Sequence, residues 1–323
     1  MDEDLSVYEL IKEGETRLIR SDIGNAFDES IVLMRYALKK SMGEVIISYG
    51  DKLDKNKVDL FEKLIKRRSR KEPYAYIANK KEFYSLEFFV DGSVLIPRPD
   101  TECLVDEALK EIEKFQNELK RKIYILDIGT GSGAVAISIA KNSYNVIIYA
   151  VDNSIKSLNV AKKNIKANRV EKKVIPVYFD MLKSKKTDLS LCRSSLHDFD
   201  CYLKPNGFDI YDFDNFDIIV SNPPYIETDE LKILDDGIKF YEPPEALDGG
   251  EDGLKFYRKI FDAAVLHSRN KKSIILEIDY RKKSAIYSLF EKKFTNYNGI
   301  KFKRLVFAND LSNKERVTKI TYG

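Results

Sequence analysis

Residues 216–225, Phe-Asp-Ile-Ile-Val-Ser-Asn-Pro-Pro-Tyr, restrict the folds open to this chain more than any other stretch. Ile218, Ile219 and Val220 are consecutive, apolar and β-branched, with Phe216 ahead of them. A run that is apolar on both faces fits a strand covered on both sides, as in a parallel α/β sheet. The strand stops at Asn222-Pro223-Pro224-Tyr225. Two prolines remove two backbone donors and push the residue before each towards extended backbone. The carbonyls of Asn222 and Pro223 are therefore not absorbed into a helix turn. Asn222 adds an amide acceptor and Tyr225 a flat ring. Such a socket suits a planar group carrying NH2, with an acceptor for each hydrogen and a face to stack on. A plain turn uses the same residue types, so a second motif has to decide.

That motif is Ile123-Tyr124-Ile125-Leu126-Asp127-Ile128-Gly129-Thr130-Gly131-Ser132-Gly133-Ala134, a strand running into a glycine turn. Val135, Ala136, Ile139 and Ala140 continue it as a helix. Glycines there let the backbone approach a ligand closely. The same spacing fits a dinucleotide fingerprint, so the turn by itself leaves NAD and S-adenosylmethionine open. A second strand, 146–152, ends in Asp152, placed to accept from both ribose hydroxyls. A third, 174–179, ends in Asp180 and Met181. Asp180 is placed to accept from an adenine amine, and Met181 to lie against the ring. In an open α/β sheet, ligands sit beyond the carboxyl ends of the strands, so all four strand ends meet in one cleft. Hydride transfer needs a positioned partner such as His, yet the two histidines, His197 and His267, lie in no strand-end motif. The balance tilts towards S-adenosylmethionine.

The 323 residues leave room for one large or two modest domains. Lys and Arg number 55 against 52 Asp and Glu, a net +3 that advertises neither a nucleic-acid nor a membrane partner. No stretch approaches the roughly 20 apolar residues of a membrane span. The acidic start, Met-Asp-Glu-Asp-Leu-Ser, lacks an apolar signal region. Cys103, Cys192 and Cys201 form no Cys-x-x-Cys pair, and a reduced cytoplasmic chain is expected. Phe27, Ile31, Met34 and Leu38, then Val58, Phe61, Leu64 and Ile65, recur at helical spacing. Residues 1–72 are thus expected to form a helical domain. Its second helix ends in Arg67-Arg68-Ser69-Arg70-Lys71, which complements either a helix macrodipole or an acidic partner. Residues 73–100 are expected to be a β-hairpin linker: Tyr84, Leu86, Phe88 and Val90 alternate, Asp91-Gly92 signals the turn and 94–96 returns. Two prolines then hold Arg98 ahead of the next helix, a fixed cation at a site edge or a plain surface arginine. Residues 101–323 make the catalytic domain.

Taken together, 96–102 (Ile-Pro-Arg-Pro-Asp-Thr-Glu), 127–133, Asp152, 222–225, 242–254 (Glu-Pro-Pro-Glu-Ala-Leu-Asp-Gly-Gly-Glu-Asp-Gly-Leu) and 309–317 resemble the HemK/PrmC family, the release factor glutamine N5-methyltransferases. The resemblance spans nearly the whole chain. It implies a class I S-adenosylmethionine-dependent α/β domain, Rossmann-like and seven-stranded, behind a small N-terminal helical domain. The last strand, near 316–321, inserts antiparallel beside the fifth. It also implies methyl transfer to the Gln of the Gly-Gly-Gln loop in class I release factors, with S-adenosylhomocysteine as product and no membrane, nucleic-acid or metal partner. On that basis the catalytic residues are Asn222, Pro223 and Tyr225. The cofactor contacts are Gly129, Thr130, Gly131, Ser132, Gly133, Asp152, Asp180, Met181 and Asn222, and the substrate contacts add Pro224 and Arg98. A nucleic-acid amino-methyltransferase remains the enzymatic alternative, because the socket also fits a base amine; a non-catalytic binding module is a third. Two departures stand out. Asp279 occupies the place where the family carries Gly, and could reshape the cleft floor. A polar insert, 183–215, holds Cys192, His197 and Cys201, a poor metal set at irregular spacing.

Overall fold

The computed structural model describes residues 4–182, 210, 212–266, 272–294, 302–310 and 312–322. The Cys192, His197 and Cys201 set lies outside the described residues. The chain divides into two compact units, one of 1–80 with 235–241 and one of 81–234 with 242–323.

The smaller unit packs α1 (Val7–Arg20), α2 (Ala26–Leu38), α3 (Met42–Ile47), α4 (Lys55–Arg68) and α5 (Tyr74–Ala78) around one core. Ser6 and Ser41 close capping boxes with Glu9 and Glu44, which fixes where α1 and α3 begin. The cations at the end of α4 are used internally. Arg67 pairs with Glu72 at 2.5 Å, and Arg68 pairs with Glu29 on α2.

The larger unit is a seven-stranded sheet in the order β5-β4-β3-β6-β7-β9-β8. Its strands are β3 (Ile123–Ile128), β4 (Val146–Asp152), β5 (Val174–Tyr178), β6 (Ile218–Ser221), β7 (Lys272–Glu277), β8 (Phe302–Asn309) and β9 (Glu315–Tyr322). The central strands run parallel, and β9 inserts antiparallel between β7 and β8, with Leu276 opposite Thr318. β6 and β7 are buried along their whole length, as an apolar run without alternation requires. Successive residues feed opposite layers. Ile125, Ile218 and Val220 pack with α6 (Glu102–Leu119) and α7 (Ala134–Asn142). Leu126, Ile128, Ile219 and Leu276 pack with Tyr257, Ile260 and Phe261 of α9 (Lys255–Leu266) and Ile286 of α10 (Lys283–Phe294). α8 (Ile155–Ala167) links β4 to β5. Among the described residues, no helix is long and apolar enough to cross a membrane.

The hairpin lies earlier than the Asp-Gly signal indicates. β1 (Lys81–Phe83) pairs with β2 (Leu86–Phe88), and Tyr84 and Ser85 make the turn at φ 51° and 57°. A two-residue turn of this twist needs positive φ at both positions. The residues that supply it are not glycines, and α6 offsets the cost. Tyr84 donates its backbone N–H to Glu102 Oε1 at 2.8 Å and its hydroxyl to Asp106 Oδ1 at 2.7 Å. Residues 91–96 form no return strand. Asp91 accepts from the N–H groups of Ser93 (side chain, 2.9 Å) and Val94 (carbonyl, 3.1 Å), turning the chain towards the carboxyl edge of the sheet.

That segment is fastened by Asn164 of α8, which is fully buried. Its Oδ1 accepts the Phe89 N–H at 2.7 Å, while Nδ2 donates to Phe89 O at 3.0 Å and Ser132 O at 2.8 Å. One side chain thus ties 89–95 to the glycine turn. Asn164→Ala leaves these groups without their partner, at about 1–3 kcal/mol for the buried Ser132 carbonyl and less for the half-buried Phe89 groups. The expected loss on urea unfolding is about 2–4 kcal/mol, well beyond the roughly 0.5 kcal/mol of a surface substitution.

Candidate active site

A cleft opens at the carboxyl ends of β3, β4, β5 and β6. β3 and β4 diverge from β6 at this point in the strand order, the switch point at which open α/β sheets bind ligands. The register sets Ile128 beside Ser221, and the Ser221 hydroxyl donates to Ile128 O at 2.6 Å. The glycine turn and the Asn-Pro-Pro-Tyr turn therefore leave neighbouring strands side by side.

Gly129, Gly131, Asp152, Asp180, Met181, Asn222, Pro223 and Pro224 line the cleft together, as their strand-end positions require. Gly129 and Gly131 have φ of 73° and 54°, and a Cβ on either would meet nothing within 4 Å. Their missing side chains leave room for a ligand. Asp152 Oδ2 accepts the Gly131 N–H and Oδ1 the Ser154 N–H, both at 2.9 Å, which points the carboxylate along the rim of the turn. Burial pushes its pKa up, and the charge of Glu245 adds to the shift. Phe179, Met181, Val94, Leu95 and Ile260 supply apolar walls. Carboxylates beside flat apolar surface suit a nucleoside, with acceptors for its hydroxyls and amine and a slot for its ring. The residues present fit S-adenosylmethionine on that ground.

Other predicted residues support the walls from behind. The buried Thr130 donates its hydroxyl to Asp127 Oδ2 at 2.7 Å, Ser132 is held through its carbonyl by Asn164, and Gly133 begins α7 with φ 81°. Arg98 does not line the cleft. Its Nη2 donates to Glu242 Oε1 at 2.5 Å, and Glu242 Oε2 accepts the Ile96 N–H at 3.3 Å. This ion pair stitches 96–98 to the start of the 242–254 loop. Nor does Asp279 shape the cleft floor. Its carboxylate turns back to accept the Arg281 N–H at 2.9 Å and to pair with the Arg281 guanidinium at 2.6 Å, and Arg281 extends to Glu230.

Several residues of the site were given no role from the sequence. Ser93, Val94 and Leu95 form one wall, and Pro243, Glu245 and Ala246 another. Glu277 lies fully buried at the end of β7, and its Oε1 accepts the Tyr225 hydroxyl at 3.4 Å. Asn222 Nδ2 donates to Thr101 Oγ1 at 3.2 Å. Glu277 had a signal in the sequence: an acid ending an apolar strand, as in β4. Burial lifts the pKa of both Glu277 and Asp127 to about 7.

The glycines of 249–253 brace the socket. Ile226 N–H donates to Leu247 O at 3.1 Å and Gly249 N–H to Ile226 O at 2.8 Å, pairing the loop with the chain just past Tyr225. A Cβ on Gly249 would lie 2.8 Å from both Pro224 O and Tyr225 Cα, so the two backbones approach to a distance only glycine permits.

The comparisons agree with this architecture. Residues 9–78 match the family model of the PrmC N-terminal domain, and 109–198 that of the methyltransferase small domain. The chain is 38% identical over 226 residues to the release factor glutamine methyltransferase of Thermodesulfovibrio yellowstonii, covering 70% of each chain. To that of Lactococcus lactis subsp. lactis it is 37% identical over 270 residues, 84% of this chain and 85% of the other. The chain belongs to the release factor glutamine methyltransferase family. With the family's protein from Flavobacterium psychrophilum it shares 31% identity over 322 residues, 97% of this chain and 99% of that one.

Two expectations follow. Gly249→Ala overpacks the brace and lowers stability by about 1–3 kcal/mol in chemical denaturation. Asp127 holds a proton in the folded chain up to about pH 7, whereas an unfolded aspartate releases it near about pH 4. Its contribution is therefore complete below the lower value and is lost as pH climbs through the upper one. Measured from pH 4 to 8, the unfolding free energy of Asp127→Asn relative to the parent should rise by on the order of 2–4 kcal/mol. A pH-independent difference would contradict the assignment.

Proposed function

We propose that this cytoplasmic enzyme transfers a methyl group from S-adenosylmethionine to the side-chain amide nitrogen of the glutamine in the Gly-Gly-Gln loop of class I peptide chain release factors. The observation that carries the reading is the adjacency of the two turns. An amide-accepting socket at 222–225 stands beside a nucleoside-type cleft at 129–152, locked in place by the pairing of β3 with β6. Membership of the family names the substrate class.

S-adenosylmethionine supplies a methyl group on an electrophilic sulfonium. Asp152 would accept from its ribose hydroxyls and Asp180 from its adenine amine, with Met181 to pack against the ring. Gly129 and Gly131 admit the ligand close to the backbone. The glutamine amide is a weak nucleophile, since its lone pair is delocalised into the carbonyl. Asn222 Oδ1 and the Pro223 carbonyl each accept one of its hydrogens, with Tyr225 and Pro224 against its plane. Those contacts would hold the nitrogen towards the methyl donor and favour the positive charge that grows on it as the N–C bond forms and the S–C bond breaks, with S-adenosylhomocysteine leaving. The N-methylated, N-protonated amide is strongly acidic and gives its extra proton to water, so no side chain serves as base. The N-terminal helical unit helps to grip the release factor, and the Arg98–Glu242 pair keeps the edge of the site rigid.

Asn222→Ala should lower methyl transfer at least about 100-fold, the scale of losing one aimed polar group at a reacting centre. Cofactor affinity, followed by calorimetry, should fall far less than turnover. Labelled methyl transfer should reach a release factor but not its Gln-to-Ala variant. Label appearing instead in duplex DNA or ribosomal RNA would overturn the substrate assignment.

A further inference from the structure

We propose that the turn 279–282, at the end of β7, is a clasp that holds the acceptor turn in place, with Lys282 as the positioning residue behind Tyr225. The inference rests on the amide-socket reading above and adds what keeps the far end of the socket from drifting.

The chain leaving Tyr225 runs along the 247–250 loop. Ile226 N–H donates to Leu247 O and Thr228 N–H to Gly250 O, both at 3.1 Å, and the Thr228 hydroxyl donates to Asp248 Oδ1 at 2.7 Å. These bonds join two loops to each other, and neither loop belongs to a strand of the seven-stranded sheet. Lys282 supplies a tie to that sheet. Its backbone N–H donates to Asp279 O at 2.8 Å, just past β7, where Ile278 N–H is bonded to Arg316 O of β9 at 2.8 Å. From this base the ammonium donates to Glu227 Oε1 at 2.6 Å and to Asp252 O at 3.1 Å. Glu227 follows closely on Tyr225, and Asp252 lies in the brace, so one cation spans both loops.

The Lys282 side chain is only 10% exposed, against 42% for Glu227. An ammonium so enclosed keeps its partners, because letting go of them leaves its charge uncompensated. Packing points the same way. A Cβ on Gly253 would stand 2.6 Å from Lys282 Cε and closer still to Tyr225 O, so the lysine stem, the brace and the Tyr225 backbone meet at one place. Arg281 adds an outer tie. Its guanidinium donates to the two oxygens of Glu230 at 3.1 and 3.2 Å, and Asp279 holds it from behind at 2.6 Å. Arg281 is 55% exposed, so this pair contributes little by itself. Asp279, in the place of the family's Gly, serves this outer tie. β6 fixes Asn222 at one end of the acceptor turn, and Lys282 fixes Tyr225 at the other.

The test uses the full chain carrying Lys282→Met, Glu227→Gln, or both. It reads amide exchange over residues 218–230, and kcat, KM and cofactor affinity for methyl transfer to a release factor. Lys282→Met should speed exchange at Ile226 and Thr228 about ten-fold while 218–221 stay as in the parent. It should lower kcat about five- to ten-fold with KM and cofactor affinity within about two-fold. Methionine keeps the stem in place, so the urea midpoint should hardly move. Glu227→Gln should lose less, because its amide oxygen still accepts, and the double variant should fall no further than Lys282→Met alone. Parental exchange and kcat in Lys282→Met, or losses that multiply in the double variant, would overturn the clasp. Should Lys282→Met fail to fold, Glu227→Gln decides by the same two readouts. Should the parent chain transfer no methyl group to a release factor, the functional reading falls, and the exchange rates still decide whether Lys282 holds the turn.

Discussion

The site exists because β3 and β6 pair in parallel, residue against residue, up to Ile128 and Ser221. A slip of one residue would turn every side chain of β6 to the other face. Two core layers oppose such a slip, since Ile218 and Val220 are committed to one and Ile219 to the other. Each large apolar side chain so buried contributes about 1.5–3 kcal/mol, so the register rests on many contacts. The Ser221 hydroxyl then closes the last gap, donating to Ile128 O at the point where the strands part. Catalytic geometry here is inherited from hydrophobic register, and the polar residues at the tip only complete it.

What stabilises the tip beyond the strands is backbone brought close to backbone. The prolines at 223 and 224 have no N–H to give, so no strand partner can take the turn up. The 242–254 loop grips the chain immediately after it, through Ile226 and Gly249. Glu242 reaches the other way to Arg98 and Ile96. A single loop therefore connects the two segments that flank the acceptor socket. The Arg98–Glu242 pair is well buried on the acid side, where losing one partner would leave the other charge uncompensated.

The sheet and the ligand-facing strand ends were legible in the sequence because they depend on local pattern. Apolar runs without alternation mark strands covered on both faces, and glycines or acids directly after them mark tips. Gly129, Gly131, Asp152, Asp180, Met181 and Asn222 come together for that reason. The hairpin was misplaced because Asp91-Gly92 carries the common turn signal. The turn that forms uses Tyr84 and Ser85, held in the left-handed region by Glu102 and Asp106 from α6. A turn stabilised by residues some 20 positions away leaves no local trace. The same holds for Arg98 and Glu242, 144 residues apart, and for Thr101 and Asn222, 121 apart. Asp279 reads as an obstruction only while its neighbour two residues on is ignored. Arg281 draws it away.

Two buried acids, Asp127 and Glu277, and the half-buried Asp152 end or nearly end three strands of this sheet. Burial raises the pKa of each, and the charge of Asp152 adds to the shift at Asp127. Apolar residues of similar volume would pack there without that cost. Each acid is nonetheless engaged by donors that belong to the site: Thr130 on Asp127, Gly131 and Ser154 on Asp152, Tyr225 on Glu277. A carboxyl group accepts such donors along fixed directions. The glycine turn and the asparagine socket are made of neutral groups that would otherwise swing. The acids beneath them orient the glycine turn and Tyr225, so the fold gives up part of its stability where it needs direction.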